Sequence, residues 1–297
     1  MGILVKSPGP LTTVQDEGRF FHQSSGIRPS GVMDAAAYEA ANALVGNGNG
    51  EAALEMTFLG ATLEFQSAAW IAATGADMRA KLDGAPVERY RAVRVAAGQA
   101  LAFGMAMNGC RGYLAVRGGI DVPPVMGSRS TDIGAKLGGF QGRALKAGDV
   151  LPTMKEDGWT PTGLNYEPPV YESAMAVRVI PGPQEEYFTA KGLETFFSAA
   201  YEISPNSDRM GLRLEGPEIE SRSGTDIVSD GIVFGAVQVP SGGKPIVLMA
   251  DHQTTGGYAK IGTVISFDLP KLAQARPGDT VRFVRISAED AQELYKK

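Results

Sequence analysis

Short apolar runs, interrupted every few residues by glycine or proline, dominate the pattern of this chain. In the first half they fall at residues 61–65, 69–73, 93–95, 100–103 and 112–116; in the second at 176–180, 232–234, 245–249, 263–267 and 280–284. Apolar runs of this length between turn residues predict β-strands, and their spacing predicts sandwiches or barrels. A Gly-centred turn precedes a strand three times, at Ala97-Gly98-Gln99, Ala147-Gly148-Asp149 and Pro277-Gly278-Asp279. Helices are few. Residues 34–45 form the clearest, with Asp34 as N-cap and Gly46 as the stop. Residues 185–191, 193–199 and 288–297 also read as helical.

The recurring turn closes each half of the chain, which fits two β domains related by duplication. Residues 156–173 carry Pro161, Pro168 and Pro169 without periodicity, and read as a linker between domains 1–155 and 174–297. A chain of 297 residues, 43% hydrophobic, has material for two such cores. The formal net charge of -5, with no basic stripe, argues against nucleic acid as a partner. No apolar run reaches the ~18 residues of a membrane span, and the N-terminus lacks a signal peptide's apolar stretch. A soluble, cytoplasmic protein with no membrane partner is expected. Cys110 is the only cysteine, so no intramolecular disulfide forms; with only His22 and His252 beside it, a Cys/His zinc site is not expected.

Candidate chemistry concentrates in polar, Gly-rich segments. The densest is Asp251-His252-Gln253-Thr254-Thr255-Gly256-Gly257-Tyr258, which follows the apolar run 245–250. A charge and several hydrogen-bonding groups at a strand end, beside two glycines that permit close approach, fit either a binding site at the mouth of a β-structure or a polar turn. Gln238-Val239-Pro240 precedes it. A second segment, Gln15-Asp16-Glu17-Gly18-Arg19 with 26–34, ends at a helix start where loop amides suit an anion, although Asp34 also serves as a simple cap. A third, Gly127-Ser128-Arg129-Ser130-Thr131-Asp132, offers either an anion-holding loop or an arginine bonded to nearby carbonyls. In a fourth, Asp208 and Arg209 read as an exposed pair.

In their order these segments resemble the KipA family. The resemblance rests on Val14-Gln15-Asp16-Glu17-Gly18-Arg19, Ser30-Gly31-Val32-Met33-Asp34, Leu54-Glu55-Met56-Thr57, residues 113–120 and 127–132, Asp208-Arg209-Met210-Gly211, Gln238-Val239-Pro240 and residues 251–258. It spans nearly the whole chain. Family members are described as allophanate hydrolase subunit 2, as biotin-dependent carboxyltransferase-like proteins related to urea carboxylase, or as the 5-oxoprolinase component PxpC. The resemblance implies a mainly β fold of two cyclophilin-like β-barrel domains with a few short helices. It implies a KipI-like partner, PxpB, and a LamB-type partner, PxpA, in a complex that uses ATP to open 5-oxo-L-proline to L-glutamate. The alternatives are an allophanate- or urea-linked carboxyltransferase role, and a regulatory role against KipI.

For opening of a small amide substrate, the reaction needs an acid/base and donors for developing negative charge. Asp251 is the expected acid/base, with Asp34 second. Gln253, Thr254 and Thr255 are expected to orient the amide, Arg129 to grip a carboxylate or phosphate, and Ser130, Gln238 and Tyr258 to line the substrate site. No nucleotide motif is evident, so ATP is expected at a partner or a shared interface. The only lysine beside a methionine in carrier fashion, Met154-Lys155-Glu156, lacks the second methionine; biotin is not expected on this chain.

Overall fold

Alternation within the apolar runs decides which residues meet the core. The computed structural model describes residues 2–48, 50–154 and 158–296, with the backbone alone at Tyr295. It divides the chain into two units. The first holds the chain up to Phe20 together with Ser30–Tyr171; the second holds Phe21–Pro29 and the chain from Glu172 onward.

In the first unit one sheet is ordered Val150–Pro152, Gly2–Ser7, Thr62–Phe65, Ala100–Ala102, Lys81–Leu82, Ala85–Pro86. The other is ordered Thr12–Gln15, Ala53–Thr57, Arg111–Val116, Ala69–Gly75, Ala92–Val95. One core takes Ile3, Val5, Leu63 and Leu101 from the former and Leu54, Met56, Leu114 and Val116 from the latter. The alternate residues Ala53, Tyr113 and Ala115 face the other way, onto Ala37, Tyr38, Ala41 and Leu44 of the helix Ala35–Leu44. Arg111–Val116 is buried at every position because both of its faces are covered. The helix starts and stops as the sequence predicts: Asp34 accepts from Ala37 N at 3.0 Å, and Gly46 takes φ 67°.

Residues 158–171, expected within the linker, are bound to the first unit. Asn108 grips the Tyr171 backbone, donating to its O at 2.8 Å and accepting from its N at 2.9 Å. Arg91 donates to Tyr166 O at 2.7 Å, and Trp159 meets Trp70 edge-on. Of the rest of that expected linker, Glu172 and Ser173 belong to the second unit, while 156 and 157, and with them Lys155 and Glu156 of the Met154-Lys155-Glu156 reading, lie outside the described residues.

In the second unit seven strands close a barrel, ordered Ala174–Pro181, Lys260–Val264, Ala236–Gln238, Ile246–Leu248, Gly211–Glu215, Ala200–Ile203, Thr280–Arg285. Closure is a parallel pairing of Ala174–Pro181 with Thr280–Arg285. Val177, Val179, Leu212, Leu214, Val247, Val281 and Phe283 are buried. Phe283 stacks on Phe196 of the helix Ala190–Ser198, with ring centres 4.4 Å apart. A separate ribbon pairs Asp226–Gly231 with Thr255–Tyr258.

The run 232–234 is not a strand. Ile232 is buried and Val233 is 57% exposed in a turn, and the strand begins at Ala236. Of residues 185–191, Glu185–Tyr187 form a single 3-10 turn, and Ala190 and Lys191 open the helix Ala190–Ser198. Among the described residues no helix is long and apolar enough to cross a membrane.

Candidate functional site

The outer face of the barrel carries a cleft of about 190 Å³. Three adjacent strands supply its floor. Leu212 and Leu214 turn inward, so Gly211 and Arg213 face out; Ile246 is the register partner of Arg213, Leu248 of Gly211, and Gln238 of Ile246. Tyr258 of the ribbon, Gln253 in the loop before it, and Asp208 and Met210 in the turn before Gly211 complete the lining.

The ribbon is fixed at two points. Gln238 Nε2 donates to Tyr258 O at 3.1 Å. Lys260, buried on its barrel strand, donates Nζ to Asp230 Oδ2 and to Gly231 O, the latter at 3.0 Å. Ile232 packs with Ala236, Leu248 and Ile246 between ribbon and barrel, which explains why an apolar run sits there without being a strand. Gly256 lets the ribbon sit close on these side chains: a Cβ there would lie 2.5 Å from Ile232 Cδ1 and 2.7 Å from Gln238 Nε2 and would push both aside.

Asp251 anchors the loop that leads into the ribbon. Arg209 donates Nε to Asp251 Oδ2 at 2.9 Å and Nη2 to Oδ1 at 3.0 Å, and Asp251 N donates to Arg209 O at 2.8 Å. Both residues are buried. Arg28, from the Phe21–Pro29 excursion into this unit, donates to Asp251 O at 3.3 Å. His252 is also buried, and its Nδ1 lies 2.7 Å from Gln253 O. A carbonyl only accepts, so Nδ1 carries the proton and Nε2 is left as the acceptor. Burial holds the His252 pKa below its ordinary value, against the opposing pull of the Gln253 carbonyl and Asp251.

In the first unit, Asp16 organises the loop that bears Arg129. Its carboxylate accepts from Ser128 Oγ at 2.6 Å, Gly18 N at 3.0 Å, Arg129 N at 2.5 Å and Ser130 Oγ. Arg19, fully buried, donates Nη2 to Ser130 O at 2.8 Å and Nε to Val125 O at 2.9 Å. Arg129 donates Nε to Val122 O at 2.9 Å and has Nη2 3.8 Å from Asp121, leaving its guanidinium partly exposed. Elsewhere in this unit Asp34 N donates to Tyr113 Oη at 2.9 Å, and Tyr113 donates in turn to Glu55 Oε2 at 2.7 Å. Burial, then the neighbouring Glu55 and Asp34, push the Tyr113 phenol well above its ordinary pKa, so it remains a donor.

The sequence-derived candidates thus have distinct environments. Gln238, Gln253 and Tyr258 meet in the cleft. Thr255 is exposed on the ribbon, and Thr254 uses its carbonyl to accept from Ile232 N. Asp251, expected as the acid/base, has both carboxylate oxygens engaged by one guanidinium. It acts in this geometry as the support of its loop. Ser130 is fully buried and spends its hydroxyl on Asp16, and Asp34 caps its helix. Asp208 and Arg209 do not form an exposed pair; Arg209 reaches across 42 residues to Asp251, while Asp208 Oδ1 accepts from Met210 N and Gly211 N. Sequence reasoning missed Arg213, Ile246 and Leu248. The available signal was the alternation of 211–215, which places Arg213 opposite the buried leucines.

The chain matches the model for the carboxyltransferase domain, subdomain A and B, over residues 25–285. It is 42% identical to the C subunit of 5-oxoprolinase from Escherichia coli, over 95% of this chain and 91% of that protein. It is 40% identical to the corresponding 5-oxoprolinase protein of Haemophilus influenzae, over 96% of this chain and 91% of that protein. Among solved structures, the urea amidolyase of K. lactis superposes with a TM-score of 0.91 at 32% identity; the match covers 99% of this chain but 19% of that one.

Proposed function

Since the chain belongs to the carboxyltransferase family of subdomains A and B, we propose that it is the PxpC component of an ATP-dependent 5-oxoprolinase and acts with a KipI-like and a LamB-type protein. The observation that carries this reading is the match to two proteins named as the C subunit of 5-oxoprolinase, over 91% of their own lengths. The cleft chemistry supports it. Two carboxamides and a phenol beside an apolar floor suit a small cyclic amide, which needs both an acceptor and a donor for its N–H and C=O.

The lactam carbonyl is a weak electrophile. Transfer of the γ-phosphoryl group of ATP to its oxygen makes the ring carbon attackable. Water adds there, the ring C–N bond breaks with protonation of nitrogen, and an acyl phosphate remains. A second water releases phosphate, so that 5-oxo-L-proline, ATP and two waters give L-glutamate, ADP and phosphate. The sequence of this chain has no Gly-rich phosphate loop followed by Lys, so nucleotide binding is assigned to a partner or a shared surface. This chain's part is to bind and orient the amide: Gln238 and Gln253 present its hydrogen-bonding partners, and the Arg209–Asp251 pair holds the loop that carries Gln253.

Carboxyl transfer is the second reading, favoured by the likeness to the K. lactis urea amidolyase. Glutamate release from 5-oxo-L-proline and ATP separates the two. Turnover by the mixture of all three proteins, absent when this chain is left out, supports the PxpC role. A folded, assembled mixture that releases no glutamate rejects it and shifts the reading to carboxyl transfer.

A further inference from the structure

We propose that Arg213 is the carboxylate anchor of the cleft, and that the ligand it takes is a small cyclic amide with a carboxylate beside the ring nitrogen. The proposal rests on the 5-oxoprolinase reading for the identity of that ligand. The anchor itself is read from the barrel face.

Among the described residues, Arg213 is the one cation in the lining of the cleft, and it stands on a strand whose neighbours Leu212 and Leu214 are fixed in the core. Its backbone is held on both sides: Arg213 N donates to Ser207 Oγ at 3.0 Å, and Arg213 O accepts from Ser204 N at 2.9 Å. Its guanidinium, by contrast, has no carboxylate partner among the described residues. The arginines nearest in role are consumed: Arg209 is saturated by Asp251, and Arg178 by Asp268. A planar fork left open at the edge of an apolar floor matches a carboxylate in two-point fashion.

The remaining lining specifies what is attached to that carboxylate. Ile246, Leu248 and Met210 offer apolar contact for ring methylenes. Asp208 commits Oδ1 to Met210 N and Gly211 N, which leaves Oδ2 for the N–H of an incoming amide. Gln238 and Gln253 supply carboxamide donors for its carbonyl. The cleft, at about 190 Å³, is smaller than the ~300–1,000 Å³ typical of sites for drug-sized ligands, so it selects a compact molecule. An acidic lactam satisfies all of these groups together. A neutral lactam such as 2-pyrrolidinone satisfies all except Arg213, and this makes Arg213 the specificity determinant between the two.

The test compares wild type with Arg213→Gln and Arg213→Lys in the assembled three-protein complex, using 5-oxo-L-proline and 2-pyrrolidinone. Arg213→Gln is expected to raise KM for 5-oxo-L-proline by roughly tenfold to a hundredfold, as loss of a charge-assisted bond does, with little change in kcat. Its kcat/KM for 2-pyrrolidinone stays at the wild-type level, and Arg213→Lys recovers part of the loss. An unchanged KM in Arg213→Gln, or an equal loss for both compounds, overturns the anchor. Ligand-observed NMR of 5-oxo-L-proline with the full chain gives the same comparison without turnover. If the complex proves inactive, the function above fails; the anchor then stands on binding that Arg213→Gln abolishes, and falls if the wild-type chain does not bind.

Discussion

The guanidinium of Arg209 and the carboxylate of Asp251 face each other as a two-point ion pair, with N–O distances of 2.9 and 3.0 Å, both side chains being no more than 10% exposed. A buried pair of this kind is held by mutual compensation: removing one partner leaves an unpaired charge in a poor solvent. Asp251→Asn is therefore expected to destabilise the protein by about 3–5 kcal/mol, and loss of activity in that variant follows from loss of the loop. Replacing both residues together, as Arg209→Met with Asp251→Leu, is expected to recover most of the stability. Denaturant titrations of the two variants check this; equal losses in the single and double variants would refute the paired account.

Asp34 combines a helix cap with a negative charge near Tyr113. Asp34→Ala is expected to cost about 1 kcal/mol through loss of the cap, whereas Asp34→Asn keeps the acceptor for Ala37 N and costs about 0.5 kcal/mol or less. If Asp34 has no chemical part, Asp34→Asn in the assembled complex turns over like wild type. A folded Asn variant without turnover would give Asp34 the acid/base role instead.

His252 makes stability depend on pH. Its folded pKa lies below its ordinary value because burial disfavours the imidazolium. The unfolded chain therefore takes up the proton first, and the folded state is favoured most above pH ~6.5 and progressively less as the pH falls through that value. Urea titrations of wild type and His252→Asn between pH about 5 and 7 are expected to show a steeper acid-side loss in wild type. Parallel curves for the two proteins would show that His252 does not set the slope.

Gly256 keeps Gln238 in place by having no side chain. Gly256→Ala puts a methyl group against the Gln238 carboxamide and Ile232 Cδ1, and those two side-chain ends must give way to receive it. Turnover is expected to drop by roughly tenfold to a hundredfold, as displacements near 1 Å do, while the barrel melts as before. Retained turnover would mean that the ribbon yields without disturbing the cleft.

The strands Thr62–Phe65, Ala69–Gly75, Arg111–Val116, Ala174–Pro181 and Thr280–Arg285 and the helix Ala35–Leu44 were legible from their apolar runs, and Asp34 and Gly46 punctuate the helix in standard ways; Gly2–Ser7, Thr12–Gln15, Ala53–Thr57, Ala200–Ile203 and Gly211–Glu215 fall outside those runs and were not. Residues 232–234 were misread because three apolar residues in a row look alike whether they form a strand or plug a gap beneath a ribbon. The segment 251–258 was recognisable as site material from its density of polar groups. Its internal division of labour was not. That Asp251 is engaged depends on Arg209, distant in sequence, and that Ser130 is sequestered depends on Asp16, 114 positions away. Arg213 was not singled out, because its place in the cleft depends on Ile246 and Tyr258, both distant in the chain. The excursion of Phe21–Pro29 into the second unit leaves no compositional mark, since the chain merely crosses and returns.

The barrel closes through Thr280–Arg285, which lies between Ala174–Pro181 on one side and Ala200–Ile203 on the other. During synthesis, those two strands leave the ribosome roughly a hundred and roughly eighty residues before the segment that joins them. Until it arrives they present two open edges, each a template for pairing with a neighbouring nascent chain. The second unit is thus a late assembler: its wall is closed by a strand made well after both of its partners, and the exposure of those two unpaired edges is concentrated in the interval before Thr280 emerges.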